Sequence, residues 1–167
     1  MPEKYQALAE QRKRDINLKI AIAQIEGNQT FYPFGTHSTL NKQHIYWKNK
    51  NKVNVIVDTM ANICRKYIPK NEVIQFCKID VEGGERNVLL GNNFEKYRPK
   101  IFCIESKKHG IPNHDLWEYI LLKNDYSFAF QYKVNRYYID NRISDLRQRF
   151  FLAEKTFEIF KKKVQKK

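Results

Sequence analysis

The feature that most constrains this sequence is a strand, turn, helix and second strand between residues 73 and 105. Residues 73–79 (VIQFCKI) are apolar on both faces, which is typical of a central parallel strand. A DVEGG turn leads into a short helical segment, residues 85–90, and Gly91 is a residue type that ends helices. A second apolar run, residues 100–105 (KIFCIE), follows Pro99. This order predicts a right-handed βαβ unit and therefore an α/β sheet.

Periodic segments on either side of this unit predict further helices and strands. The strands at residues 16–25 and 30–32 are expected to join in a hairpin through the turn at Gly27-Asn28. Asp58-Thr59 is expected to cap the helix that runs to Tyr67. The predicted segments are helices over residues 2–14, 59–67 and 116–122, and strands over residues 16–25, 30–32, 53–57, 127–130 and 137–139. We therefore expect a mostly parallel sheet that ends in an antiparallel C-terminal hairpin.

The net charge of +13, from 31 basic and 18 acidic side chains, has two interpretations. It suits an anionic partner such as a nucleic acid, a phosphosugar or lipid head groups. It also follows from A/T-rich codons, because the chain has 22 Lys, 15 Asn and 17 Ile. We expect one domain over residues 1–152 and a solvated basic tail over residues 153–167, with no specific nucleic-acid partner.

Compartment signals are consistent with a cytoplasmic protein. No run approaches the roughly 18 apolar residues of a membrane span, and the first residues lack the apolar segment of a signal peptide. Three cysteines, Cys64, Cys77 and Cys103, are an odd number without a C-x-x-C pair. They are expected to be free thiols in a reducing cytosol.

Acidic side chains follow both strands of the βαβ unit. Asp80 and Glu82 come after the first strand and Glu105 ends the second. In a parallel sheet these ends share the rim where ligands bind, and the glycines at residues 83–84 let a ligand approach the backbone. Carboxylates there are suited to a ribose or amine, to a divalent cation, or to general-base chemistry. The alternative is that Asp80 and Glu82 only cap the following helix.

Other motifs carry less information. The histidine pairs 37/44 and 109/114 lack a convincing zinc spacing, and no G-x-G-x-x-G or G-x-S-x-G motif is present. Asn135 and Arg136 either face a substrate or lie on an ordinary edge strand.

A longer pattern carries a family resemblance. Its most specific parts are KIDVEGGE at residues 78–85 and RPKI at residues 98–101. Further matches are residues 2–5, Leu8, residues 17–23, 38–40 and 88–89, Gly91, residues 104–105, Trp117, residues 126–128 and 135–138, Leu146 and residues 149–150. Over residues 2–150 the sequence resembles the FkbM-type methyltransferase family. The resemblance implies a Rossmann-like class I sheet and methyl transfer from S-adenosylmethionine to a hydroxyl of a sugar, lipid or natural product.

The resemblance also implies roles for individual residues. Asp80 is expected to orient the cofactor or accept the acceptor's proton, and Glu82 to hold the cofactor or substrate, so these two are the candidate catalytic acids. The remaining candidates are Gly83 and Ser38 for the cofactor, and His37, Glu105, Asn135 and Arg136 for the acceptor. No metal is expected.

One departure from the family pattern affects the expected activity. Family members open with a strand and a glycine-bearing turn for the methionine part of the cofactor, then a strand ending in an acid for the ribose. This sequence matches the family only from the following helix onward, so we expect a truncated sheet that does not bind S-adenosylmethionine alone. The strand at residues 73–79 would then keep an open edge, which self-associates or pairs with a second polypeptide.

Two other function classes stay open. Asp80, Glu105 and Lys107 resemble the D…E-x-K pattern of metal-dependent nucleases, although those acids usually lie on neighbouring antiparallel strands. A non-catalytic remnant or interaction module is the second alternative.

Overall fold

The computed structural model describes residues 2–33, 38, 40, 52–108, 111–143, 145–152 and 155. Their contacts divide into two compact units. Unit 1 comprises Met1–Glu72 and Val81–Tyr97, and unit 2 comprises Val73–Asp80 and Arg98–Lys167. None of the helices in the described part of the chain has the length and apolarity that a membrane crossing requires.

The described residues of unit 1 form a three-stranded sheet and three helices. Its elements are α1 (Pro2–Gln11), β1 (Ala21–Ile22), β2 (Gly27–Phe31), β3 (Val53–Asp58), α2 (Met60–Tyr67) and α3 (Glu85–Leu90). The strand order is β1-β3-β2, with β1 parallel and β2 antiparallel to β3. The helices predicted over residues 59–67 and 85–90 are therefore present.

Local chemistry explains where α2 and α3 begin and end. The Thr59 hydroxyl accepts a hydrogen bond of 3.1 Å from the Asn62 amide, so Thr59 is the N-cap of α2. Gly91 ends α3, and its carbonyl accepts a hydrogen bond from the Ala61 amide of α2. A Cβ at Gly91 would overlap the carbonyl oxygen of Ala23, so this position requires glycine for close backbone packing rather than for a special backbone angle.

Two sequence predictions are wrong in unit 1. The strand expected over residues 16–25 is reduced to Ala21–Ile22, and Ile16 and Ile25 are exposed rather than facing a core. The expected hairpin between this strand and residues 30–32 does not form, because β2 pairs with β3 instead. An alternating pattern does not specify the partner strand, which is set by contacts distant in sequence.

Unit 2 is built on a four-stranded sheet of order β4-β5-β9-β8. Its elements are β4 (Phe76–Ile79), β5 (Ile101–Glu105), β6 (Lys107–Lys108), β7 (Ile111–Pro112), a 3-10 helix (His114–Leu116), α4 (Glu118–Lys123), β8 (Tyr126–Tyr132) and β9 (Asn135–Asp140). Residues 146–152 are also helical, and β6 and β7 form a separate small hairpin. β4 and β5 are parallel and flank α3 in sequence, as the βαβ prediction requires.

Aromatic side chains and one buried ion pair form the core of unit 2. Trp117 and Tyr138 are fully buried and meet edge to face, with ring centres 5.7 Å apart. Arg98 and Asp140 form a two-point ion pair with N···O distances of 3.0 and 2.7 Å. Their side chains are only 11% and 6% exposed, so the pair belongs to the interior.

The expectation of a mostly parallel sheet is wrong, because both larger sheets are mixed. Parallel pairing joins β1 to β3 and β4 to β5, whereas β2, β8 and β9 pair antiparallel with their neighbours. A two-residue turn joins β8 to β9, and so short a connection permits only antiparallel pairing. The predicted antiparallel C-terminal hairpin is confirmed.

The strand at residues 73–79 is not buried on both faces. β4 lies at the end of the described sheet, with β5 as its neighbour, and only Ile79 of its four residues is buried. Val73 and Phe76 are about half exposed, at 49% and 51%. A strand with a neighbour on one side covers fewer of its side chains than the central strand that its apolar sequence predicts.

Candidate functional site

Two carboxylates lie together at the ends of β4 and β5 in unit 2. The parallel register places Ile79 beside Ile104, so Asp80 and Glu105 come next on neighbouring strands. Carboxylate oxygens of the two residues lie within 4.8 Å of each other. The structure therefore places both acids as the parallel strands require, while their functional role stays a prediction.

Lys78 provides a positive charge at this rim. Its Nζ donates hydrogen bonds of 2.9 Å to Asp80 Oδ2 and 2.7 Å to Asn135 Oδ1. Asn135 opens β9 and lies opposite Glu105 in the antiparallel register. The rim of unit 2 is thus a mixed cluster of Lys78, Asp80, Glu105 and Asn135, which we call the rim cluster. Because an ammonium already neutralises Asp80, carboxylate spacing alone is weak support for a metal ion.

The turn after Asp80 has an unusual backbone. Glu82 and Gly83 adopt positive φ angles of 53° and 92°. Glycine adopts such angles readily, but a glutamate does so at a cost, and residues of this kind often lie at binding sites. This turn belongs to unit 1, where Glu82 and Gly83 are partly buried.

Glu85, which is not among the residues predicted for the site, accepts hydrogen bonds from two backbone amides of this turn. Its buried Oε1 accepts hydrogen bonds from the Val81 and Gly83 amides, at 3.3 and 3.0 Å. The N-cap of α3 is Gly84, which offers no side-chain cap. The alternative that Asp80 and Glu82 serve as helix caps stays a prediction.

Contacts with Glu118, Tyr138 and Phe128 hold Arg136 inside unit 2. Its guanidinium lies 2.7 Å from Glu118 Oε1, donates to the Tyr138 hydroxyl at 2.8 Å, and stacks over the Phe128 ring at 4.1 Å. The Tyr138 hydroxyl in turn donates a hydrogen bond to Glu118. Burial raises the pKa of Tyr138, and this hydrogen bond raises it further. These contacts give Arg136 a structural role, and its predicted part in acceptor binding stays a prediction.

The remaining candidates are more scattered. Ser38 is partly buried and belongs to unit 1. His37, His44 and His109 lie outside the described residues, as does the basic tail at residues 153–167 apart from residue 155. Lys107, the third member of the nuclease-like pattern, lies in the β6–β7 hairpin rather than in the sheet of Asp80 and Glu105. Since β4 and β5 are parallel, the arrangement also departs from the antiparallel one usual for that class.

Sequence comparison decides the family. Residues 2–128 match the family model described as the methyltransferase FkbM domain. The chain belongs to the FkbM methyltransferase family. No curated protein and no solved structure matches it. The matched region contains β4, the turn at residues 81–84 and β5, and it ends within β8, before Asn135 and Arg136.

Proposed function

We propose that this protein takes part in methyl transfer from S-adenosylmethionine to a hydroxyl group of a sugar, lipid or natural product, with the rim cluster holding the acceptor. The family match supports the reaction class. The observation that carries the choice of site is Asp80, a half-exposed carboxylate that is hydrogen-bonded through Oδ2 at the end of a parallel strand.

The chemistry of the residues fits the cofactor in part. S-adenosylmethionine supplies, when bound, a methyl group on a positively charged sulfonium, and the two carboxylates of the rim cluster outnumber its one ammonium. Glu82, Gly83 and Ser38 are the proposed cofactor contacts, by resemblance to the family. The positive φ of Glu82 supports this proposal, because strained backbone of this kind is retained where a ligand needs it.

The acceptor needs a base and an orienting group. Asp80 accepts the proton that the hydroxyl loses as its oxygen is methylated, and this is general-base catalysis. Asn135 contacts the same hydroxyl, and Glu105 contacts a neighbouring hydroxyl of the acceptor. We further propose a cytoplasmic location, in keeping with three cysteines that form no disulfide.

The test is transfer of a labelled methyl group from S-adenosylmethionine to a panel of polyol and lipid acceptors. Asp80→Asn and Glu82→Gln should lower transfer by about 100-fold or more, because resemblance to the family gives each carboxylate a role in the transfer. Asp115→Asn in unit 2 and Glu95→Gln in unit 1 are matched controls, since both acids are exposed and outside the site. Wild-type activity in both site variants, with unchanged circular dichroism, would overturn the assignment.

A second candidate is a non-catalytic interaction module. The half-exposed apolar side chains of Val73 and Phe76 favour it, since such residues suit contact with another polypeptide or a second copy. In that case the labelled-methyl assay gives no product with the wild-type protein, and light scattering shows a complex that Val73→Ser and Phe76→Ser dissociate.

A further inference from the structure

Lys78 connects two strands that do not touch each other. β5 lies between β4 and β9 in the sheet, yet the Lys78 ammonium reaches from β4 to Asn135 on β9 while also holding Asp80. The Lys78 and Asp80 side chains are 36% and 48% exposed, and an ion pair so open to water contributes little stability. A purely structural purpose therefore explains this arrangement poorly.

The chemistry of the ammonium fixes which atoms of its two partners face outward. A lysine ammonium has three donors and no acceptor, so only oxygens face it. Asn135 therefore presents Oδ1 to Lys78, so its Nδ2 hydrogens can donate only to a group other than this ammonium. Asp80 uses Oδ2 for Lys78, which leaves Oδ1 as its second acceptor.

We propose that Lys78 is a positioning residue that makes Asp80 and Asn135 a binding pair for one uncharged hydroxyl group. The inference rests on the proposed function and specifies how the acceptor is held. The hydroxyl donates its hydrogen to Asp80 Oδ1, and its oxygen accepts a hydrogen bond from Asn135 Nδ2. Both side chains accept a hydrogen bond from the same Nζ, at 2.9 and 2.7 Å, so one ammonium fixes the positions of both groups at the rim.

This donor and acceptor set selects against other ligand classes. A hydroxyl is both donor and acceptor at a single atom, as the pair requires. The rim cluster holds two carboxylates, Asp80 and Glu105, within 4.8 Å of each other and one ammonium, so its net negative charge disfavours an anionic ligand. An ammonium ligand satisfies Asp80 but cannot accept from Asn135. A sugar ring is the fitting class, because neighbouring hydroxyls also reach Glu105.

The experiment is an NMR titration of the full chain with methyl β-D-glucopyranoside, an uncharged polyol, following the Asn135 side-chain amide. The amide signal should shift on titration in the wild type and in Lys78→Arg, which keeps a cation with several donors. In Lys78→Met, which keeps the length but loses the donors, the apparent affinity should fall about tenfold or more. Lys123→Met is the matched control, since Lys123 is an exposed lysine of the same unit, on α4.

The outcomes separate this proposal from the proposed function. An unchanged response in Lys78→Met, or no response of Asn135 in the wild type, would overturn the positioning role of Lys78. A normal response together with absent methyl transfer, both by the purified chain and in cells that express it, would leave the hydroxyl pair in place and reject the transfer reaction. Where transfer is measured, Lys78→Met should raise KM more than Lys123→Met does, and Lys78→Arg should restore it.

Discussion

Breaking the ion pair between Arg98 and Asp140 should be among the most damaging single changes in unit 2. Arg98 donates from Nε and from one terminal nitrogen to the two oxygens of Asp140, and it also stacks on the Tyr126 ring at 4.7 Å. With side chains only 11% and 6% exposed, Arg98→Met leaves a carboxylate buried without its partner. Loss of one member of a buried pair costs about 3–5 kcal/mol.

The assay is urea unfolding of four proteins at pH 7: wild type, Arg98→Met, Asp140→Leu and the double variant. The double variant should be more stable than either single variant, because it leaves no unpaired buried charge. Arg149→Met is the matched control, since its ion pair with Asp145 is largely exposed, and its loss should cost about 0.5 kcal/mol or less. A cost below about 1 kcal/mol for Arg98→Met would refute the reasoning.

The same pair predicts a dependence on pH. Burial alone would raise the pKa of Asp140, but hydrogen bonds from Arg98 and from the Arg142 amide outweigh it and hold this pKa below its ordinary value. A carboxyl with a lowered folded-state pKa contributes stability above its unfolded value of about 3.9, and this contribution is lost as the pH falls through the folded value. The wild type should therefore lose more stability than the double variant below about pH 4.

Two further predictions concern unit 1, and chemical denaturation checks both. Gly91→Ala should destabilise the protein by about 1–3 kcal/mol, because the added Cβ would overlap the Ala23 carbonyl. In the control Gly84→Ala, the added Cβ meets the Val81 side chain at 3.3 Å, so the loss of stability should be smaller. Equal losses in the two variants would contradict this account of Gly91. Thr59→Ala should cost about 1 kcal/mol through loss of the α2 N-cap, and Thr59→Ser should retain most of the stability, so an effect as large from the serine variant would argue against capping.

Sequence predicted the features that depend on neighbouring residues. The start of α2 at Thr59 and the end of α3 at Gly91 follow from capping chemistry over a few positions. The hairpin of β8 and β9 follows from two aromatic-rich segments that are close together in the sequence. Pairing between distant strands was less predictable. The alternation before Gly27 favours a strand, but it does not show that β2 pairs with β3.

In the candidate site, too, local features could be predicted from the sequence and contacts between distant residues could not. The order of the strands suggested that Asp80 and Glu105 would share a rim, since each follows an apolar run. The partner of Lys78 on β9 lies 57 positions away in the sequence, and no local pattern reveals it. Glu85 resembles an ordinary first-turn acid in the sequence, although its carboxylate accepts hydrogen bonds from two amides of the preceding turn.

The most direct test of the central claim is a comparison of O-methylated compounds in cells that express the protein from its own gene, either as wild type or as Asp80→Asn. Mass spectrometry of the glycan, lipid and small-molecule fractions measures the product, and it does so with whatever partners the protein has in the cell. If the rim cluster holds the acceptor and Asp80 takes its proton, at least one methyl ether should disappear in Asp80→Asn, and its unmethylated precursor should accumulate. Identical methyl ether profiles, with equal amounts of both proteins, would contradict the account.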